Sequence, residues 1–171
     1  KKDYLILEAG EQPGTFYKKF PRHRKLISIN KRFTGSDNPE FNMRHDWNSL
    51  LTDDYSLLFK DYDEEFFPKA DSLVRYLQDY VERFNIKVKC KTKVVQIDKV
   101  EMNYLLTDQD GNRFLAKNLI VASGFLKPFV PMIKGIELAD NYTEMSIDTK
   151  DYENKHVLII GKGNSAFETA D

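Results

Sequence analysis

The 171 residues are 41% hydrophobic and 31% charged with a net charge of −1, the balance of a globular chain rather than a disordered one. Near-neutrality offers no global field toward nucleic acid or a membrane surface, and no apolar run approaches the ~20 residues that span a bilayer. The single cysteine, Cys90, excludes an internal disulfide or a Cys-x-x-Cys redox pair within this span.

The chain opens Lys1-Lys2-Asp3 without Met and closes inside an apparent helix, so it is expected to be an excerpt of a longer protein. Tyr4-Leu5-Ile6-Leu7 runs into Glu8-Ala9-Gly10, which suits a buried parallel strand with an acid at its carboxyl end. An irregular basic stretch is expected to follow, with Lys18, Lys19, Arg22, His23, Arg24, Lys25, Lys31 and Arg32. Residues 53–65 reverse the charge with Asp53, Asp54, Asp61, Asp63, Glu64 and Glu65. Asp71 or Ser72 is expected to cap a helix whose apolar face is Leu73, Tyr76, Leu77, Tyr80, Val81 and Phe84, with Asn85 ending it.

Ile86, Val88, Cys90, Thr92 and Val94 alternate with Lys87, Lys89, Lys91 and Lys93, the pattern of one strand with a wet face. The alternation changes phase at Val95 and Ile97, predicting a bulge or a change of neighbour. Tyr104–Thr107 and Arg113–Leu115 flank Asp110-Gly111, a hairpin signal. Leu119–Ala122 and Val157–Ile160 are apolar on all sides and predict two more buried strands, separated by a linker with Pro128, Pro131 and Gly135. The order predicts an α/β fold with a small antiparallel insert.

Gly161-Lys162-Gly163-Asn164-Ser165-Ala166 follows the last of these runs directly and leads into helix-compatible residues. This is the G-x-G-x-x-A arrangement of a dinucleotide-binding turn. The first Gly permits the turn, the second admits a pyrophosphate, and the small third residue lets helix and strand pack closely. The other reading is a glycine-rich turn without a ligand. The acid that selects the ribose belongs about 20 residues further on, beyond Asp171. Glu8 occupies the corresponding strand-end position of an earlier unit. It is either a ribose-binding acid or an ordinary water-facing glutamate.

Two nucleotide signals separated by a helix, a strand and a hairpin resemble the flavin-containing monooxygenase superfamily of two-dinucleotide flavoproteins, along essentially the whole chain. The resemblance rests on Glu8-Ala9-Gly10 with Gly14-Thr15-Phe16-Tyr17, Phe67-Pro68 before the helix, Val121-Ala122-Ser123-Gly124-Phe125 before Pro128, and Gly161–Ser165. The strings Phe20–Arg32, Arg44–Leu51 and Gly163–Ala170 are also similar to an endoplasmic-reticulum branch of FAD-dependent oxidoreductases associated with degradation of misfolded luminal proteins.

The resemblance implies a Rossmann-like two-dinucleotide-binding flavoprotein with an antiparallel hairpin insert, seen in part. Residues 1–127 would be part of the FAD-binding domain, without its first strand and glycine loop, and 128–171 the linker and start of the NAD(P)-binding domain. It implies FAD contacts at Glu8, Gly14, Phe16, Val94, Val95, Ser123 and Gly124. Gly161, Gly163, Asn164, Ser165 and Ala166 would serve NADPH or NADH.

Asn48 would lie beside the flavin edge or its oxygen adduct as a catalytic residue, or else belong to a packed polar loop anchored by Trp47. Val94 and Val95 would touch the adenine, or simply pack in the core. The basic run would grip a cofactor phosphate or form a solvated loop.

The resemblance implies oxidoreduction, with NADPH reducing the flavin by hydride transfer and a small molecule or protein as redox substrate, in luminal protein quality control beside quality-control proteins. The alternatives are a flavin-bearing scaffold without enzymatic activity and a flavin disulfide reductase with its cysteines outside this span. Nucleic acid is not expected as a partner, and His23 and His45 lack metal-ligand spacing.

Two departures stand out. The monooxygenase fingerprint Phe-x-Gly-x-x-x-His falls on Ala139, Asn141 and Met145, matching none, although Ser146 fits the serine that follows it; this weakens substrate oxygenation. Ser123 replaces the usual Thr while keeping the hydroxyl. Asn141-Tyr142-Thr143 is an N-glycosylation sequon and agrees with a luminal setting.

Overall fold

A computed structural model describes residues 3–124 and 128–171; Phe125 of the resemblance lies outside them. The chain divides into two units, Lys1–Val121 and Ala122–Asp171.

In the first unit, β1 (Ile6–Leu7) pairs in parallel with β2 (Val88–Lys89), Ile6 opposite Val88. The ladder extends beyond the strands: Ile6 N donates to Lys87 O at 2.9 Å and Glu8 N to Lys89 O at 3.0 Å. It continues with Thr92 N to Glu8 O at 2.9 Å and Lys91 N to Gly10 O at 2.7 Å. To make this second pair of bonds the chain turns at Lys91, whose φ is 54°. Of the long strand expected from Ile86 to Val94, only Val88–Lys89 forms before this turn, and Val94 begins the next strand. A period of two reports side-chain alternation, not where the backbone must bend to reach a partner.

β3 (Val94–Val100), β4 (Asn103–Asp108) and β5 (Arg113–Ala116) form an antiparallel sheet in that order. The hairpin stands where Asp110-Gly111 places it, with Gly111 at φ 80°, a left-handed conformation that glycine adopts without strain. Asp108 Oδ1 accepts from Asp110 N at 3.0 Å and Asn112 N at 2.8 Å, and Oδ2 from Asn112 Nδ2 at 2.9 Å. The register shifts between Val94 and Gln96, which is the predicted bulge.

α1 (Thr15–Lys19) follows Gly14, which has φ 78°. The basic stretch is thus not wholly irregular; five residues are too short for a helical period to show. α2 (Pro39–His45) is capped by Asn38 Oδ1, which accepts from Glu40 N and Phe41 N.

α3 (Ala70–Arg83) buries Ala70, Leu73, Val74 and Tyr76. With Leu26 and Phe59, residues Ala70, Leu73 and Tyr76 form the core, flanked by Tyr17, Leu57, Tyr62, Leu77 and Tyr80. The rings of Phe59 and Tyr62 meet Tyr76 edge-on at 5.8 and 5.4 Å, a favoured aromatic geometry. Neither Asp71 nor Ser72 caps this helix. No side chain caps it; upstream, the buried carboxylate of Asp63 ties down the approach to the helix, accepting from Lys69 N and Glu65 N, each at 2.9 Å. Asn85 does end the helix, in a left-handed conformation with φ 48°.

Residues 24–30 run along 66–70, with Leu26 N on Pro68 O at 2.8 Å, Asn30 N on Phe66 O at 2.9 Å and Ala70 N on Arg24 O at 2.8 Å.

In the second unit, short 3-10 turns at Ile136–Leu138 and Thr149–Tyr152 precede α4 (Asn164–Ala170). The strands expected at Leu119–Ala122 and Val157–Ile160 are not formed among the described residues. Neither run takes part in a backbone ladder, and Ile120 and Leu158 are 90% and 85% exposed. An apolar run becomes a buried parallel strand only with neighbours on both edges and cover on both faces. No described helix is long and apolar enough to cross a membrane.

Candidate functional site

Glu8 stands immediately after β1, half-buried, its backbone held from both directions by the Lys89–Thr92 segment. Its side chain turns back on its own strand end: Gly10 N donates to Glu8 Oε1 at 2.7 Å. That bond fixes one carboxylate oxygen and leaves Oε2 with no partner among the described residues. The geometry suits accepting a hydroxyl from a ligand beyond the strand end, which is where α/β sheets bind their ligands. Gly10 is an addition to the residues expected from sequence. A Cβ there would collide with the Thr15 side chain, so only glycine lets the loop close onto α1. The Glu-x-Gly spacing is the local signal for it.

Gly14 serves α1 and the core. Its left-handed φ suits glycine, and a Cβ would come 3.0 Å from Leu77 Cδ1. Phe16 is half-exposed, its ring 5.5 Å from Phe20 and 5.3 Å from Tyr17. Val94 and Val95 begin β3, just after the Lys91–Thr92 turn that pairs with Glu8 and Gly10. Glu8, Gly10, Gly14 and the approach to Val94 thus come together at the end of the parallel pair.

Asn48 is held elsewhere in the first unit. Ser28 Oγ donates to its Oδ1 at 2.6 Å, its Nδ2 donates to Ser28 O at 3.4 Å, and its N–H donates to Asp46 Oδ1 at 3.3 Å. Asp46, 7% exposed, also accepts from Ser49 N at 3.0 Å and from the Ser49 hydroxyl. The neighbouring Trp47 is exposed and stacks under Lys31 Nζ at 3.8 Å. Asn48 is thus tied into a polar loop by Ser28 and Asp46, but Trp47 does not anchor it as expected, since its side chain is exposed.

The basic run is partly paired. Arg24 reaches Asp71 at 2.6 Å and Arg32 reaches Glu64 at 3.3 Å. In the acidic block, hydrogen bonds from Ser56 and from Arg83 hold the Asp54 carboxyl down at about 2. Asp63 is pushed up by burial, but the Lys69 and Glu65 N–H groups, the Ser72 hydroxyl and the Lys69 charge more than reverse this, and its pKa is lowered. Among the described residues no cluster of His, Cys, Asp and Glu is arranged to hold a metal ion.

In the second unit Ser123 and Gly124 are exposed, Gly124 with φ 69°. Gly163 is the extended N-cap of α4, and a Cβ on Gly161 would lie 3.1 Å from Ala166 Cβ. That close approach is the physical reason for small residues at both positions. Asn164 and Ser165 form the first exposed turn of α4.

The family model for pyridine nucleotide-disulphide oxidoreductases matches residues 1–171. The chain is 45% identical to FAD-dependent oxidoreductase domain-containing protein 2 of Mus musculus and 44% identical to its namesake in Danio rerio. Each match covers 99% of this chain but only 27% and 25% of those proteins, so the chain spans about a quarter of the relatives' length. Among solved structures, a flavin-containing monooxygenase from Stenotrophomonas maltophilia superposes with TM-score 0.51 at 17% identity, over 67% of this chain and 29% of that one. The shared fold is Rossmann-like. The chain belongs to the pyridine nucleotide-disulphide oxidoreductase family, among its FAD-dependent oxidoreductases.

Proposed function

We propose that the chain is part of an FAD-dependent oxidoreductase that uses NADPH, working in the endoplasmic reticulum lumen on a small-molecule or protein redox substrate, in contact with quality-control proteins. The observation that carries this reading is Glu8, a strand-end carboxylate with one oxygen tied to Gly10 N and the other open. Its chemistry fits an adenosine ribose, whose hydroxyls donate to such an oxygen. A bound flavin would supply the redox chemistry, namely hydride acceptance and electron transfer to an acceptor.

The chain's own residues hold and place. Glu8 accepts from the ribose, and Gly10 keeps the Glu8 carboxylate oriented. The Gly14 turn sets α1 against α3. In the second unit the closeness of Gly161 to Ala166 leaves the turn before α4 narrow and free of side chains at its glycines, which supports seating of the nicotinamide cofactor's pyrophosphate on backbone N–H groups.

The test is anaerobic addition of NADPH to the full-length protein while flavin absorbance is followed. Bleaching is expected; a flavin that stays oxidised with both NADPH and NADH sinks the enzymatic reading. Substrate-independent peroxide release on readmitting air would mark an uncoupled oxidase. The second reading, a flavin-bearing scaffold, draws support from Ala139, Asn141 and Met145 at the oxygenase fingerprint positions, and the same titration separates the two.

A further inference from the structure

We propose that Asn141 carries an N-linked glycan; this rests on the luminal part of the function proposed above. Asn141-Tyr142-Thr143 is the single Asn-x-Ser/Thr tripeptide in the 171 residues, and neither Tyr142 nor the following Glu144 is the proline that would block such a site.

The folded second unit keeps the tripeptide fit to bear a sugar. Thr143 N donates to Asn141 Oδ1 at 3.1 Å and Thr143 Oγ1 donates to the same oxygen at 3.2 Å. Both side-chain bonds therefore fall on the carbonyl oxygen. Asn141 Nδ2, the atom that is glycosylated, donates to nothing among the described residues. A sugar on it costs the fold no hydrogen bond. The backbone around it is a tight turn, with Glu144 N and Met145 N both on Asn141 O at 2.8 Å. Residues 137–140 before it and Glu144 after it are exposed, so within its own unit the loop has room for a bulky hydrophilic group.

The donor is an oligosaccharide on a polyprenyl diphosphate. A bond forms between Asn141 Nδ2 and the anomeric carbon of the reducing-end sugar, and the bond from that carbon to the diphosphate oxygen breaks. The polyprenyl diphosphate leaves, and one Nδ2 proton passes to a base of the transferase. No electrons are exchanged. Asn141 also occupies the glycine position of the oxygenase fingerprint, so a glycan here and an oxygenase-type segment are exclusive uses of one loop.

The full-length protein is expressed in a eukaryotic secretory host and digested with trypsin, which releases residues 135–150 as one peptide with Asn141 as its only asparagine. Expected is loss of the unmodified peptide. After peptide N-glycosidase treatment in heavy-oxygen water it returns, with Asn141 converted to aspartate bearing the label. Thr143→Ala and Asn141→Gln abolish the modification, while Thr143→Ser retains it. Addition of the glycan accompanies translocation, so these readouts do not require a variant to fold. Protease protection in intact microsomes is measured alongside. A protected protein whose 135–150 peptide stays unmodified overturns this proposal alone. A protein digested by external protease overturns it together with the luminal reading.

Discussion

Replacing Glu8 by Gln tests the strand-end site with the least change of shape. In the structure Oε1 accepts Gly10 N at 2.7 Å, and Oε2 has no partner among the described residues. The amide oxygen of Gln takes over the Gly10 bond, which places an NH2 where the open acceptor stood. A ribose hydroxyl that donated to Oε2 loses its acceptor and faces another donor. A hydrogen bond to a charged group contributes about 1.5–3 kcal/mol, and roughly 1.4 kcal/mol corresponds to tenfold in affinity. FAD affinity is therefore expected to fall about 10- to 150-fold, with little change in stability, since the Gly10 bond survives. The assay is titration of flavin-stripped full-length protein with FAD, followed by flavin fluorescence, beside thermal unfolding of the apoprotein. An E8Q protein that binds FAD within a factor of about two of wild type, a difference worth under ~0.5 kcal/mol, would show that Glu8 does not hold the cofactor.

Asp63→Asn removes the charge that accepts from Lys69 N and Glu65 N on the approach to α3 and is expected to cost about 1–3 kcal/mol at neutral pH, read by chemical denaturation. Because Asp63, Asp54 and Asp108 all have folded pKa values below the ordinary carboxylate value, the stability they contribute is present above that value and lost as pH falls through the folded ones. The wild type is thus expected to weaken below about pH 4, and D63N to weaken less over the same interval; a parallel acid profile would remove Asp63 from the account. Gly161→Val drives a branched side chain into Ala166 and is expected to slow flavin reduction by NADPH roughly tenfold or more, an effect of about 1.4 kcal/mol, with bound flavin unchanged. Equal reduction rates for G161V and wild type in stopped flow would count against the turn as the nicotinamide site.

What the sequence discloses divides by range. The hairpin at Asp110-Gly111, the apolar face of α3 and the bulge at Val94 and Gln96 are all legible because their causes are neighbours in sequence. A left-handed glycine, a 3.6-residue period and a phase change each act within a few residues. The anchoring of the approach to α3 is not legible in that way. Asp63 lies seven residues before Ala70, and its carboxylate reaches Lys69 N only because residues 24–30 pin the 66–70 segment alongside. The turn at Lys91 escapes for the same reason, since the bend is imposed by Glu8 and Gly10, more than eighty residues away in the chain. The apolar runs at Leu119–Ala122 and Val157–Ile160 announce strands through composition alone, but a ladder needs partners that composition does not provide. At the candidate site Glu8 is readable as an acid ending an apolar run. That its orientation is set by Gly10, and that Gly10 is required by Thr15, emerges only once the loop is folded.

The charge pattern changes meaning when the pairs are drawn. In sequence, the basic run from Lys18 to Arg32 invites assignment to a cofactor phosphate. In the fold, Arg24 goes to Asp71 on α3 and Arg32 to Glu64 in the acidic block, and Lys31 lies over Trp47. Exposed pairs of this kind contribute about 0–1 kcal/mol each, so their value here is positional. Together with the backbone bonds from Leu26, Asn30 and Ala70 they keep residues 24–32 along the 63–70 segment, and the Asp63 bond to Lys69 N lies on that alignment. Arg24 and Arg32 are thus paired within the first unit. At the strand end the Glu8 carboxylate is oriented by Gly10 N, and under the proposed function it would recognise a nucleotide through its sugar.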